Sequence, residues 1–318
     1  PILLTVINKI DEKDDTFFVK IMILSIAYAS SIGGMSTLIG TAPNAIMAGF
    51  LYENYRINIG FIEWILFSFP LVFFLLTFFW FFSSLLIKNE KFTKSIFQKN
   101  YKKLGSLKPK EKITLLIMIM TISLWISRRI INNHLNLNLS DTGIAIFGAF
   151  LFFFVPYGKN KFILNNEWYT KIPWNILILF GGGLSLANLI QTSGLAEWIS
   201  GTLSYLNNFD KVIIILLIAF LISFLTEVTS NTATTLLFLP IVASFASVNN
   251  LDVVLLTLPV VLTASCAFMM PIATPPNAIV FSTNKITISF MVRVGIFMNI
   301  TAIIFLSFWI LIASKILY

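Results

Sequence analysis

Thr226-Glu227-Val228-Thr229-Ser230-Asn231-Thr232 interrupts an otherwise apolar stretch, with Val212–Leu225 before it and Ala233–Ala246 after it. In hydrocarbon such a polar cluster is costly unless it binds something or is buried in protein. Each apolar arm is about 15 residues, short of the roughly 20 that a helix needs to cross a bilayer. Two short arms around a polar tip predict a re-entrant hairpin over 211–247 that enters and leaves on one face. A second polar break, Ala273-Thr274-Pro275-Pro276-Asn277, follows downstream.

Composition agrees with a membrane setting. Hydrophobic residues make up 57% and charged residues 11% of the chain, whereas soluble domains carry roughly 25% charged residues. The class is all-α and polytopic. A net charge of +8 reads as lysines retained on the cytoplasmic side of a bilayer rather than as a nucleic-acid surface. The single cysteine, Cys266, excludes an internal disulfide and a cysteine-based metal cluster. The single histidine, His134, sits among Asn132, Asn133, Asn136 and Asn138 in a predicted polar loop, and reads as a solvated side chain. No signal-peptide pattern opens the chain. It starts inside an apolar run, P-I-L-L-T-V-I, so the expectation is of further sequence upstream of Pro1, with processing as the alternative.

In chain order, Pro1–Ile7 reads as the tail of a helix and Asn8–Thr16 as a charged loop. Phe17–Ile32 is an apolar helix running into a break at Gly33–Asn44, with Ala45–Leu51 as its second half. Ile62–Ile87 is a Phe-rich span. Lys88–Lys112 is a basic linker, with Phe92, Ile96 and Phe97 leaving open an amphipathic surface helix. Spans follow at Ile113–Ile131, Gly143–Val155 and Pro173–Ile190. The last contains Gly181-Gly182-Gly183, which serves either tight packing or local unwinding. Beyond the hairpin, Val253–Met270 is a helix broken at Pro271–Pro276 and resumed by Asn277–Phe281, and Ile288–Leu317 is the final span. The expected organisation is therefore 1–87, part of a first repeat; 88–112, a cytoplasmic linker; and 113–318, a second repeat. The second repeat holds scaffold spans (113–200), the hairpin (211–247), a broken helix (252–283) and a last span (287–317).

With Lys88–Lys112 in the cytoplasm, the loop 158–171 and Lys285 also fall there, provided that 211–247 is a hairpin rather than one crossing. The hairpin mouth then faces the outer side of the membrane. The two breaks are alike: I-G-T-A-P-N-A-I at 39–46 matches I-A-T-P-P-N-A-I at 272–279. Under this orientation the copies run in opposite directions, the pattern of inverted repeats with a site at their interface. By the same register Pro1-Ile2 corresponds to Pro240-Ile241, placing a first hairpin tip upstream of residue 1.

Breaks of this kind suit an ion and an anion together. Unwound carbonyls, hydroxyls and an Asn oxygen supply the oxygen ligands that a sodium ion takes. Free N–H groups at helix starts favour carboxylates. A cation bound beside an anion stabilises both, a direct route to coupled transport. Ser230, Asn231 and Thr232 could instead be a helix cap at a turn. Glu227 is open to three readings: a proton-coupling group, a buried carboxylate held by tip amides, or an exposed residue. Arg293 reads as a helix-end arginine reaching for the interface.

The motifs T-E-V-T-S-N-T-A-T, A-F-M-M-P-I-A-T-P-P-N-A-I and S-I-G-G-M-S-T-L-I-G-T-A-P-N resemble the divalent anion:sodium symporter family of dicarboxylate, citrate and sulfate transporters, over essentially the whole chain. The resemblance implies two hairpins, two broken helices, a homodimer and elevator-type movement of a transport domain against a scaffold in the cell inner (cytoplasmic) membrane. It implies sodium and a small dicarboxylate anion as partners, with no organic cofactor, no catalytic residue and no nucleic acid. Carried over by motif, Ser230, Asn231 and Thr232 contact substrate, and Thr274, Pro275, Thr41 and Ala42 line the pocket. Thr226, Thr229, Asn231, Ala273 and Gly40 supply sodium oxygens. The chain departs from the pattern at Ala42, where the second copy has Pro275, and in lacking the first S-N-T triplet. The expected function is sodium-coupled symport of succinate, malate or fumarate. Alternatives are a sodium-independent exchanger or a sulfate or citrate symporter of the same family, and, outside transport, a membrane enzyme or a non-transporting subunit.

Overall fold

The computed structural model describes residues 17–87, 106–135, 138–158, 161–164, 170, 174–202, 205–206 and 209–317. The expected helix tail at Pro1–Ile7, the loop to Thr16, most of the basic linker, and Lys159 and Lys171 lie outside them. The described helices are α1 (Phe17–Gly34), α2 (Ala42–Tyr55), α3 (Phe61–Leu86), α4 (Pro109–Leu135), α5 (Asp141–Phe154), α6 (Trp174–Thr192) and α7 (Leu195–Thr202). They continue with α8 (Lys211–Thr226), α9 (Asn231–Val248), α10 (Val253–Ala264), α11 (Pro275–Phe281) and α12 (Ile288–Ala313). A two-stranded antiparallel ribbon, β1 (Pro156–Gly158) and β2 (Lys161–Phe162), is a small addition to the all-α expectation. By length and composition α1, α3, α4, α9 and α12 can each cross a membrane.

Two compact units emerge. One takes its residues from 1–59, 63–91 and 176–318, and the other from 60–62 and 92–175. In the smaller unit Asp141 is the junction of α4 and α5. Its carboxylate lies 3.1 Å from Arg128 Nη1 and accepts the Phe61 amide at 3.2 Å, while its backbone carbonyl accepts Trp125 Nε1 at 3.0 Å. Ser140 caps α5 by accepting the Gly143 amide at 3.0 Å. Helix α4 starts at Pro109, earlier than expected, with the Glu111 carboxylate accepting the Lys108 amide at 2.8 Å. It also runs on to Leu135, so His134 stands in its last turn and not in a loop. The reason is Asn132, whose amide group donates to the Leu139 carbonyl and accepts the Leu139 amide, both at 3.0 Å, turning the chain only after the helix ends.

In the larger unit both broken helices are present. The first half-helix, α1, ends at Gly34 and α2 starts at Ala42; α10 ends at Ala264 and α11 starts at Pro275. Helices α9 and α10 pack on α2, and α11 packs on α1. Helix α10 also packs against both hairpin arms, α8 and α9. The arms are 16 and 18 residues long. Helix α12 presents a buried stripe, Met291, Val294, Gly295, Met298, Asn299, Ala302 and Leu306, at helical spacing. Gly295 matters for closeness: a Cβ there would meet Phe268 O at 2.5 Å and Met269 Cα at 2.7 Å. Helix α6 stays helical through Gly181–Gly183. A Cβ on Gly183 would strike Leu236, while Gly181 and Gly182 face open space; in this conformation Gly183 alone of the triplet packs closely, and the helix does not unwind there.

Candidate functional site

The α10 break begins at Ser265, well before the expected Pro271, because side chains take over the backbone groups that the helix releases. Tyr28 Oη donates to Phe268 O at 2.8 Å. Asn277 Nδ2 donates to Ala267 O at 3.1 Å and to Met270 O at 3.0 Å. Glu227 accepts the Met269 amide (3.0 Å at Oε1) and the Met270 amide (2.8 Å at Oε2). Asn299 Oδ1 accepts the Phe268 amide at 3.3 Å. A non-helical backbone buried in a membrane protein is tolerated only when so satisfied.

The first break is built along the same lines. Asn44 Nδ2 donates to Thr37 O at 2.9 Å, the counterpart of Asn277 to Met270, each seven residues back. Thr41 and Thr274, which precede α2 and α11, share a backbone conformation: φ −135°, ψ 149° and φ −138°, ψ 150°. Asn44 and Asn277 are both fully buried, and each leaves its Oδ1 without a hydrogen bond. Glycine is required at position 40, where a Cβ would strike Gly34 O and approach Thr37 Oγ1 at 2.8 Å.

At the hairpin tip, Thr226 Oγ1 lies 2.7 Å from Asn231 Oδ1 and 3.0 Å from Ala264 O. A hydroxyl has one proton, so it cannot donate to both oxygens at full strength. Three oxygens converge with one proton among them. A hard cation takes such oxygens as ligands, and Ala264 O sits at the negative end of α10. The next residue, Ser265, reaches the other break, its Oγ 3.4 Å from Thr41 Oγ1. Consecutive residues at the end of α10 thus touch the hairpin tip and the first break. Thr229 is turned elsewhere: its hydroxyl lies 2.9 Å from Leu225 O and 2.6 Å from Thr234 Oγ1. Ser230 stands at the cap position of α9 yet makes no side-chain cap bond and is exposed, leaving its hydroxyl free for a ligand. Thr232 is half-buried beside it on the first turn. Thr274 caps α11 by accepting the Asn277 amide at 3.3 Å, so its own proton is still available. Ala273 is buried, and Pro275 is exposed at the start of α11. Ala42, half-buried, opens α2, and Gly40 is exposed in the loop before it.

The oxygens that meet at the tip, from Thr226, Asn231 and Ala264, are all neutral. Among the described residues there is no group of three His, Cys, Asp or Glu side chains placed to hold a metal ion. Reasoning from sequence missed Ala264, Ser265 and Asn299. Asn299 had a usable signal, being a lone amide inside an apolar helix. Ala264 and Ser265 had none, since the apolar run continues past them.

Residues 2–317 match the sodium:sulfate symporter transmembrane region. The chain belongs to this symporter family. It is 37% identical over 297 residues to a sodium-dependent dicarboxylate transporter, SdcS, of Staphylococcus saprophyticus, and 36% identical to the protein of that name in Staphylococcus aureus. In each case 90% of this chain is aligned, and the chain spans 57% of the relative's length. The symporter family consists of transporters and not enzymes. With its apolar helices, this member is a multi-pass protein of the cytoplasmic membrane.

Proposed function

We propose that the intact protein carries C4-dicarboxylates such as succinate, malate and fumarate inward with sodium, working as a homodimer with elevator-type movement. The observation that carries this reading is that the Asn231 side-chain oxygen and the Ala264 carbonyl both lie within 3.0 Å of the Thr226 hydroxyl, next to the Ser265–Thr41 contact between the breaks. Sodium is cargo in this scheme. Thr226 and Asn231 are its side-chain ligands, and Ala273, Gly40 and Thr229 are proposed to add oxygens once the ion is bound. Substrate carboxylates take donors from Ser230, Asn231 and Thr232 on one side and from Thr41, Ala42, Thr274 and Pro275 on the other. Because the cation draws in Asn231 Oδ1, it orients the Asn231 amide and the first turn of α9 toward the anion. Support comes from the relatives, which are named sodium-dependent dicarboxylate transporters.

Thermal stabilisation of the intact protein by succinate, citrate and sulfate, each with and without sodium, tests the reading. Stabilisation by succinate only when sodium is present is expected. Equal stabilisation without sodium would turn the reading toward an exchanger, and a response to sulfate alone would replace the substrate class.

A further inference from the structure

The hairpin carries one acid, Glu227, and it is buried at 2% exposure. Its two oxygens face donors: the Met269 and Met270 amides and Asn299 Nδ2, the last at 2.7 Å from Oε1. The Asn299 amide cannot be turned round without loss, because its Oδ1 accepts the Phe268 amide. Every group bonded to the carboxyl is a donor, so the geometry is built for a carboxylate and gives a proton on it nowhere to go. The amides that hold it belong to the α10–α11 break and not to the hairpin tip. Glu227 also follows directly after Thr226, whose hydroxyl meets Asn231 and Ala264.

We propose that Glu227 is a positioning residue. Its carboxylate ties the hairpin tip to the backbone of the second break at Met269–Met270, and Asn299 of α12 braces the tie. The tie fixes how far the Thr226–Asn231 oxygens stand from the Ala264–Thr274 segment, and so sets sodium affinity without contacting the ion. The inference rests on the transport reading and deepens it. Gly295 and Tyr28 complete the seat, the first by letting α12 close on Phe268 and the second by bonding the Phe268 carbonyl.

The experiment uses the intact protein with Glu227→Gln, Asn299→Ala and the pair. Amide hydrogen exchange at Met269 and Met270 reads the tie itself, independently of transport. It is expected to quicken about tenfold in Glu227→Gln, the worth of one charge-assisted bond; exchange at the wild-type rate would overturn the proposal. In proteoliposomes the sodium needed for half-maximal succinate uptake is expected to rise about tenfold in both single variants, with the pair no worse than the weaker single variant. The pH profile of uptake is expected to keep its shape. A wild-type sodium requirement in Glu227→Gln, or a flattened pH profile, would contradict a positioning role. Wild-type protein without sodium-driven uptake would instead sink the transport reading, leaving the exchange result to decide the tie. If Glu227→Gln does not fold, Asn299→Ala alone carries both measurements.

Discussion

The Thr226 hydroxyl lies 2.7 Å from the Asn231 side-chain oxygen across the hairpin tip, and Ala264 O stands 3.0 Å from the same hydroxyl. Replacing Thr226 with Val keeps the shape and removes the oxygen. The expected outcome is a rise of about tenfold in the sodium required for half-maximal uptake, the usual size of losing one good polar contact, with a lower melting temperature because the buried Ala264 carbonyl loses its donor. Sodium titration of uptake by the intact protein checks it.

The contact between the breaks gives a second prediction. Ser265 Oγ and Thr41 Oγ1 are 3.4 Å apart, a distance at which the bond is weak. Ser265→Ala is therefore expected to leave thermal stability within about 1 kcal/mol of wild type. Its effect should appear in the apparent affinity for succinate, measured at saturating sodium.

The two buried asparagines predict a matched pair of failures. Asn277→Ala removes the donor from Ala267 O and Met270 O, and Asn44→Ala removes it from Thr37 O. Asn277→Ala leaves Ala267 O without its partner inside a membrane protein, at a cost of about 1–3 kcal/mol, while Met270 O and Thr37 O lose a second donor and keep the Ala273 and Gly40 amides. Both variants are expected to melt earlier than wild type, with Asn277→Ala the worse because it serves two carbonyls.

The glycine triplet of α6 separates packing from unwinding. Gly182→Ala meets nothing within 4 Å and is expected to be neutral or slightly stabilising. Gly183→Ala strikes Leu236 and is expected to destabilise by about 1–3 kcal/mol. Thermal melting of the two variants reads the difference. A loss of uptake in Gly182→Ala without loss of stability would restore a gating role for the triplet.

Much of this fold could be read from the apolar runs and their punctuation. T-x-P-N-A-I recurs at both breaks; Thr41 and Thr274 share a backbone conformation, and Asn44 and Asn277 each donate to a carbonyl seven residues back. The hairpin tip was legible because polar residues crowded between two apolar arms are too costly to leave facing lipid. The point where α10 ends was not. Ser265-Cys266-Ala267-Phe268-Met269-Met270 has nothing in it that forbids a helix, and it is unwound by partners distant in sequence: Tyr28, Glu227, Asn277 and Asn299. The same distance hid Ala264 and Ser265 from the site, since a backbone carbonyl is made a candidate ligand by where the helix stops. Glu227 was visible as an acid, but what held it was not, for its amides lie across the break. His134 was misplaced because an Asn-rich run reads as a loop until Asn132 is seen bonding Leu139.

The most direct test of the central claim is succinate uptake by the intact protein in proteoliposomes, with an inward sodium gradient or with potassium in its place. The account predicts uptake that depends on sodium and is reduced at least about tenfold by Asn231→Ala, which removes the oxygen facing Thr226. Wild-type uptake at the same rate in potassium, or an Asn231→Ala variant with an unchanged sodium requirement, would contradict it.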